Sequence, residues 1–298
     1  MWNFGTCLAY LSGTAAAAAV LCLKRSRFER DHFTIEETEL TSRKIQHPRT
    51  LVFLSDLHDK EFGSEGKELL DAIGRIRPDA VLIGGDTMVA KEGKAGLEVT
   101  RRLIHGLAGI PGREPGTHCP IYYANGNHEQ RLRREPEHYG SLYQELMELL
   151  DEEGVHYLSD SSAMLGDDIC ISGLDIDPCY YRDLIPVPMK SVYLYAHLGR
   201  PDPDRYQILM AHSPLFHDAY AQWGADLTLA GHFHGGTIRI PFLGGVMTPQ
   251  YQFFLPCCAG TFEKQGHYMI VSRGLGTHSI NIRLGNRPQV VVVRLKPL

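Results

Sequence analysis

The run Leu51–His58 reads LVFLSDLH, a short apolar stretch that stops abruptly at Asp56, Leu57 and His58. Its length and its Leu, Val and Phe content predict a buried strand of a parallel sheet, not a helix. If the extended backbone continues past Ser55, Asp56 and His58 stand two positions apart and project to the same side. A carboxylate and an imidazole aimed together from the carboxyl end of a central strand make half of a metal site. Taken alone, the plainer reading is the better one, with Asp56 as a helix cap and His58 as a loop histidine. The arrangement recurs at four further strand ends, and that changes the reading.

Working outward, Ala80–Ile83 is a second buried strand and ends in Gly84-Gly85-Asp86. Pro120–Ala124 ends in Asn125-Gly126-Asn127-His128-Glu129, Tyr206–Met210 runs to His212, and Asp226–Ala230 runs to His232-Phe233-His234. Apolar residues at helical spacing predict helices over about 66–77, 97–107 and 138–152. This strand–helix alternation implies a layered α/β core. Phe33–Glu36 alternates as an edge strand, and shorter strands fall near 155–158 and 169–174. The segment 175–187 reads as an irregular loop. Residues 238–266 are loop-like but apolar, and Phe242, Tyr251, Phe253, Phe254 and Leu255 need a partner or a ligand. The stretches 268–272, 279–284 and 290–295 are expected to be strands of a second sheet.

A chain of 298 residues that is 43% hydrophobic and 22% charged suits one α/β domain with an appendage. The net charge of −5 argues against electrostatically driven nucleic-acid binding. Seven cysteines without zinc-ribbon spacing point to free thiols in a reducing compartment. Trp2–Leu23 contains no charged residue and is followed by Lys24, Arg25, Arg27 and Arg30. As a helix it spans about 33 Å, close to the bilayer hydrocarbon thickness. The basic flank follows the apolar run instead of preceding it, which favours a single membrane anchor over a cleaved signal and puts the body of the protein on the cytoplasmic side. The expected organisation is an anchor over 1–27, a linker with an edge strand over 28–49, and one domain over 50–298.

In open α/β folds, ligands bind outside the carboxyl ends of the strands, so the five strand ends point to one crevice. Imidazoles, carboxylates and one amide oxygen suit Mn²⁺, Fe²⁺ or Zn²⁺. Six or seven ligands are too many for one ion but suffice for two that share a carboxylate and a water. Such a pair clamps both oxygens of an in-line phosphoryl displacement and lowers the pKa of the water between them. Glycines before the key residues, Gly85, Gly126 and Gly231, are expected to leave room for a substrate phosphate. The remaining histidines, among them His105, His138, His197 and His278, lack such placement.

These motifs resemble the calcineurin-like metallophosphoesterase superfamily: D-x-H, G-D, G-N-H-D/E, H and G-H-x-H stand here as Asp56-Leu57-His58, Gly85-Asp86, Gly126–Glu129, His212 and Gly231–His234. The resemblance covers about 51–236 and implies a four-layer αββα sandwich with two divalent metal ions. It implies that Asp56, His58 and His234 hold one ion, that Asn127, His212 and His232 hold the other, and that Asp86 bridges them. His128 then stabilises or protonates the leaving oxygen. The sequence departs from the family at Val89, where a second carboxylate is common, and at Phe233, where a small residue is usual. The anchor and the Ser272–Gly276 tail are similar to a membrane-associated bacterial subgroup, some of whose members cleave the pyrophosphate of UDP-diacylglucosamine. The implied function is hydrolysis of a phosphate ester or pyrophosphate bond in a phosphorylated small-molecule or lipid-linked substrate. The alternative is a non-catalytic, metal-dependent scaffold at the membrane.

Overall fold

The computed structural model describes residues 4–181, 187–277 and 280–298, with side chains from Thr14 onward. The chain starts in one long helix, α1 (Phe4–Asp31). Thr14–Arg25 are exposed all round, whereas Ser26 and Glu29 at the base are buried. Among the described residues, no helix is long and apolar enough to cross a membrane. The transmembrane helix expected over Trp2–Leu23 therefore has no support from the fold. Where its side chains are described, from Thr14, that stretch holds five alanines, which carry little hydrophobicity, and only Val20–Leu23 before the basic flank. Residues 1–3 and the side chains before Thr14 lie outside the described residues.

After α1 come β1 (Thr34–Ser42), β2 (Arg49–Leu54), α2 (Lys67–Ile76), β3 (Ala80–Ile83), α3 (Glu98–Ala108) and β4 (Ile121–Ala124). Then follow α4 (Asn127–Arg134), α5 (Pro136–Tyr139), α6 (Leu142–Glu152), β5 (His156–Leu158), β6 (Ser161–Leu165), β7 (Ile169–Leu174) and α7 (Ser191–Leu198). The remainder holds β8 (Tyr206–Ala211), α8 (His217–Trp223), β9 (Leu227–Ala230), the two-residue strands β10 (Arg239–Ile240) and β11 (Gly244–Gly245), β12 (Gly260–Lys264), β13 (His267–Val271) and β14 (Gln289–Pro297). Two six-stranded sheets result, in the orders β1-β14-β2-β3-β4-β5 and β12-β13-β9-β8-β7-β6. Within the first, β2 to β5 are parallel, β14 is antiparallel to β2, and β1 is parallel to β14. In the second, β7, β8, β9 and β13 are parallel, with antiparallel edges at β6 and β12.

The continuous apolar runs of β2, β3 and β14 arise because both faces of their sheet are covered. Val52, Leu54, Val81, Ile83, Val290 and Val292 pack with residues of α2, α3 and α6. Their neighbours Leu51, Phe53, Ala80, Leu82, Val291 and Val293 turn the other way, onto Ile171, Ile208, Met210 and Leu229 of the second sheet. The far face of that sheet packs Leu174, Leu209 and Ala211 against Leu194 of α7 and Trp223 of α8. Helices, sheet, sheet and helices thus form four layers. Each fully buried aliphatic or aromatic side chain contributes about 1.5–3 kcal/mol.

Three expectations change. Val290–Leu295 is a strand, but of the first sheet, where it is inserted between β1 and β2. Of the expected strand 279–284, Ser279 lies outside the described residues, and Ile280–Leu284 makes only the isolated bridge Ile238–Leu284. That segment is a loop held by the buried Arg283, whose guanidinium donates to main-chain carbonyls. The apolar stretch 238–266 contains the edge strand β12 but leaves Phe242, Tyr251, Phe253 and Phe254 exposed. In the loop expected over 175–187, Pro178–Tyr181 forms a 3₁₀ turn and residues 182–186 lie outside the described residues.

Candidate metal centre

The five strand ends converge, but not as extended chain. Asp56, His58, Asp86, His232 and His234 all have positive φ, between 45° and 66°. Asp56 and His58 therefore do not share a side by strand alternation. They are aimed by a left-handed turn that non-glycine residues adopt only where surrounding contacts impose it. Those contacts are main-chain bonds that continue the β2–β3 pairing past the strands: the Asp56 N–H donates to Gly85 O, His58 N–H to Asp86 O and Asp59 N–H to Thr87 O. The motif glycines are required by close approach. A Cβ on Gly126 would lie 2.2 Å from Asp86 Oδ1, one on Gly231 2.3 Å from Asp56 Oδ2, and one on Gly85 2.0 Å from the Gly126 nitrogen. The space expected for a substrate phosphate is filled by the neighbouring ligand loops.

Three groups of donor atoms, each within 4.8 Å of one another, result: Asp56, His58 and His234; Asp86, His212 and His232; and His58, Asp86 and His128. All these residues are buried. Asp86 Oδ2 is central, 3.2 Å from His212 Nε2, 3.7 Å from His58 Nε2 and 4.0 Å from His128 Nε2. Asp56 Oδ1 lies 3.5 Å from His234 Nε2 and 3.7 Å from His212 Nε2. The Nε2 atoms of His58 and His234 approach to 3.2 Å. Asn127 stands at the first position of α4, and its Oδ1 is buried without a hydrogen-bond partner among the described residues. A buried acceptor left open beside clustered imidazole and carboxylate donors is what a divalent cation satisfies, so the donor set fits the two ions.

Hydrogen bonds on the far side of each ring sort ligands from acids. His212 Nδ1 lies 2.8 Å from Gly84 O, which makes Nδ1 a donor and leaves Nε2, facing the cluster, as the nitrogen that can bind a metal once its proton is lost. His234 Nδ1 faces Gly276 O in the same way. His128 is reversed: the Ala90 N–H donates to its Nδ1 at 2.7 Å. Its proton therefore sits on Nε2, facing Asp86, and a ring in that state is a donor and not a ligand.

Burial raises the Asp86 carboxyl to about 6, an effect that His212 partly opposes. Asp56 is likewise pushed up by burial and pulled back by His212. Burial alone would depress His212, but Asp86 and Asp56 beside it prevail and push it up to about 10. In the metal-free state the imidazole thus balances two buried carboxylates.

Two further residues hold this centre, and the sequence reading assigns a role to neither. Glu129 is fully buried and accepts from the main-chain N–H groups of Asp86, Thr87 and Gly126 and from the Tyr123 hydroxyl. It clamps the loops after β3 and β4 to each other, and its position three after Gly126 is the capping-box signal that announces it. Tyr181 packs its ring 5.0 Å from that of His232, and burial raises its phenol well above 10. No local pattern marks it.

A family model, calcineurin-like phosphoesterase, matches residues 49–236, which contain every residue of the cluster. The chain belongs to that family and is a phosphoric ester hydrolase of the metallophosphoesterase type. It is 26% identical to YpbG of Bacillus subtilis (strain 168) over 289 residues, 95% of this chain and 94% of that protein. It is 24% identical to the phosphodiesterase YaeI of Escherichia coli (strain K12), over 83% of this chain and 82% of that one. Among solved structures, a 5'-nucleotidase precursor from Thermus thermophilus superposes with a TM-score of 0.42 and 15% identity, over 77% of this chain and 49% of that one.

Proposed function

We propose that the protein hydrolyses phosphodiester or phosphoanhydride bonds with two divalent ions, one held by Asp56, His58 and His234 and the other by Asn127, His212 and His232, with Asp86 between them. When bound, the ions supply an activated water and neutralise charge on the phosphoryl oxygens. The protein's own part is to fix the ligand nitrogens, to exclude bulk water and to hold a proton on His128 Nε2. With Nε2 4.0 Å from Asp86 Oδ2, that proton is positioned to stabilise or protonate the departing oxygen. The observation that carries the reading is the contrast between His212 and His128, two buried rings beside the same carboxylate oxygen, of which His212 donates through Nδ1 and His128 accepts there. A scaffold that only held metal would have no use for the second.

The test is His128→Gln in protein lacking residues 1–27, assayed on bis(p-nitrophenyl) phosphate with Mn²⁺, Fe²⁺, Zn²⁺ or Co²⁺. Metal content should stay near that of the parent while turnover falls about 10²–10⁴-fold. An emptied site would refute the assignment of His128, and a folded, metal-loaded parent without activity would favour the scaffold.

Membrane attachment through α1, with the domain on the cytoplasmic face, belongs to the same reading. It is supported by the uncharged 2–23 stretch and by the exposure of Thr14–Leu23. The apolar wall beside His234, formed by Met247, Pro249, Tyr251, Ile280 and Ile282, supports a lipid-bearing substrate. Carbonate washing should leave the full-length chain in the membrane fraction, and release by that wash would refute the attachment.

A further inference from the structure

Beside the second metal group opens a cavity of about 260 Å³ whose inner end is formed by Asn127 and His232. Its wall continues along α4, with Gln130, Arg131 and Arg134. Asn127, Arg131 and Arg134 stand at i, i+4 and i+7, a single face of that helix. The two arginines lie about 6 Å and about 10 Å along the axis from the ligand. Long helical side chains lean toward the N-terminus, here toward Asn127. The two cations are also uncommitted. Arg133, on another face, is neutralised by Asp175 at 2.8 Å, whereas Arg131 and Arg134 make no ion pair among the described residues. Arg131 is steadied by donating to Ala90 O. Among the described residues, the one carboxylate lining the cavity is Glu135. The lining also offers acceptors: Gln130 is 4% exposed, and its Oε1 and that of Gln250 are buried without hydrogen-bond partners among the described residues.

From this placement we infer that the cavity is a subsite for a second anionic group of the substrate, read by Arg131 and Arg134, with Gln130 and Gln250 accepting from hydroxyls on the arm between. The inference rests on the phosphoesterase reading above and narrows it. The favoured substrates carry a second phosphate or carboxylate within reach of these two side chains, as a phosphoanhydride or a bisphosphate does, and simple diesters with one charge are poor ones. Guanidinium pairs suit such oxyanions because their planar donors match phosphate geometry.

The test compares two chromogenic diesters that differ only in the second charge: the p-nitrophenyl ester of thymidine 5'-phosphate and the same compound carrying a 3'-phosphate. With the metal-loaded protein, kcat/KM should favour the bisphosphate about tenfold or more. In the Arg131→Gln/Arg134→Gln double variant that ratio should fall to about 1, and Arg101→Gln on α3 should leave it unchanged. A ratio near 1 in the parent, or a ratio that survives the double substitution, overturns the subsite. If the parent hydrolyses neither compound nor bis(p-nitrophenyl) phosphate, the phosphoesterase reading falls instead, and binding alone then decides the subsite. Calorimetry of the metal-loaded protein with inorganic pyrophosphate and with orthophosphate should show the double substitution weakening pyrophosphate about tenfold and orthophosphate far less. Equal weakening of both, or of neither, refutes it.

Discussion

Loading the centre with metal should expel a proton at a pH where an ordinary histidine has none to give. In the metal-free protein His212 Nε2 faces Asp86 Oδ2 at 3.2 Å and Asp56 Oδ1 at 3.7 Å. These carboxylates push the imidazole up to about 10. Its other nitrogen already donates to Gly84 O, so at pH 8 both nitrogens carry protons and the lone pair that a metal needs is blocked. Binding must displace that proton, and one proton per ion makes the apparent affinity rise tenfold per pH unit, about 1.4 kcal/mol. Between pH 6.5 and 8.5 the gain is about a hundredfold. A histidine at its usual value near 6.5 would already be neutral over most of that range, and the curve would flatten above pH 7. Calorimetric titration with Zn²⁺ at pH 8, in buffers of different ionisation enthalpy, counts the protons and should find at least one released at the His212 site. No release at pH 8, together with a flat affinity from pH 7 to 8.5, would refute the charge balance derived for His212, Asp86 and Asp56.

Glu129→Gln preserves shape but removes the charge that accepts from Asp86 N, Thr87 N and Gly126 N. It should cost about 2–4 kcal/mol in urea unfolding and reduce metal content, and an unchanged midpoint would count against the clamp. Gly85→Ala places a Cβ 2.0 Å from the Gly126 nitrogen at a φ of 84° and should prevent stable folding, seen as loss of a cooperative melt. Gly74→Ala, inside α2 with nothing within 4 Å, should instead stabilise the protein by up to about 1 kcal/mol.

Much of the fold was legible because the central strands are buried on both faces. AVLI at 80–83 and ICISGL at 169–174 have the boundaries expected of them. The strand ends were legible for the same reason, since an apolar run that halts at Asp or His marks its own terminus. What could not be read was set by distant partners. Val290–Val293 would suit either sheet, and only its pairing with β1 and β2 places it in the first. Ser161–Leu165 is an edge strand with exposed positions and has no core pattern to betray it. In the site, residue types and spacing pointed to the ligand groups. The left-handed backbone at Asp56 and His58, the clamp by Glu129 and the approach of Tyr181 are products of tertiary contact and leave no period in the sequence.

The placement of β14 bears on how the protein is made. It fills the gap between β1 and β2, so of these two strands from the first fifth of the chain β1 has no sheet partner, and β2 only β3, until β14 has been synthesised. The loop before it is equally late: Gly274 packs on Asp56, the Gly276 N–H donates to Asp56 O, and the Asn286 N–H reaches back to the buried Glu29 of α1 across 257 residues. Domains emerging from the ribosome tend to settle from the N-terminus onward, but this one cannot. Asp56 and His58 wait in an unclosed sheet, and metal loading becomes an event of the finished chain. A transcript cut before β14 would yield a polypeptide with every ligand and no metal centre.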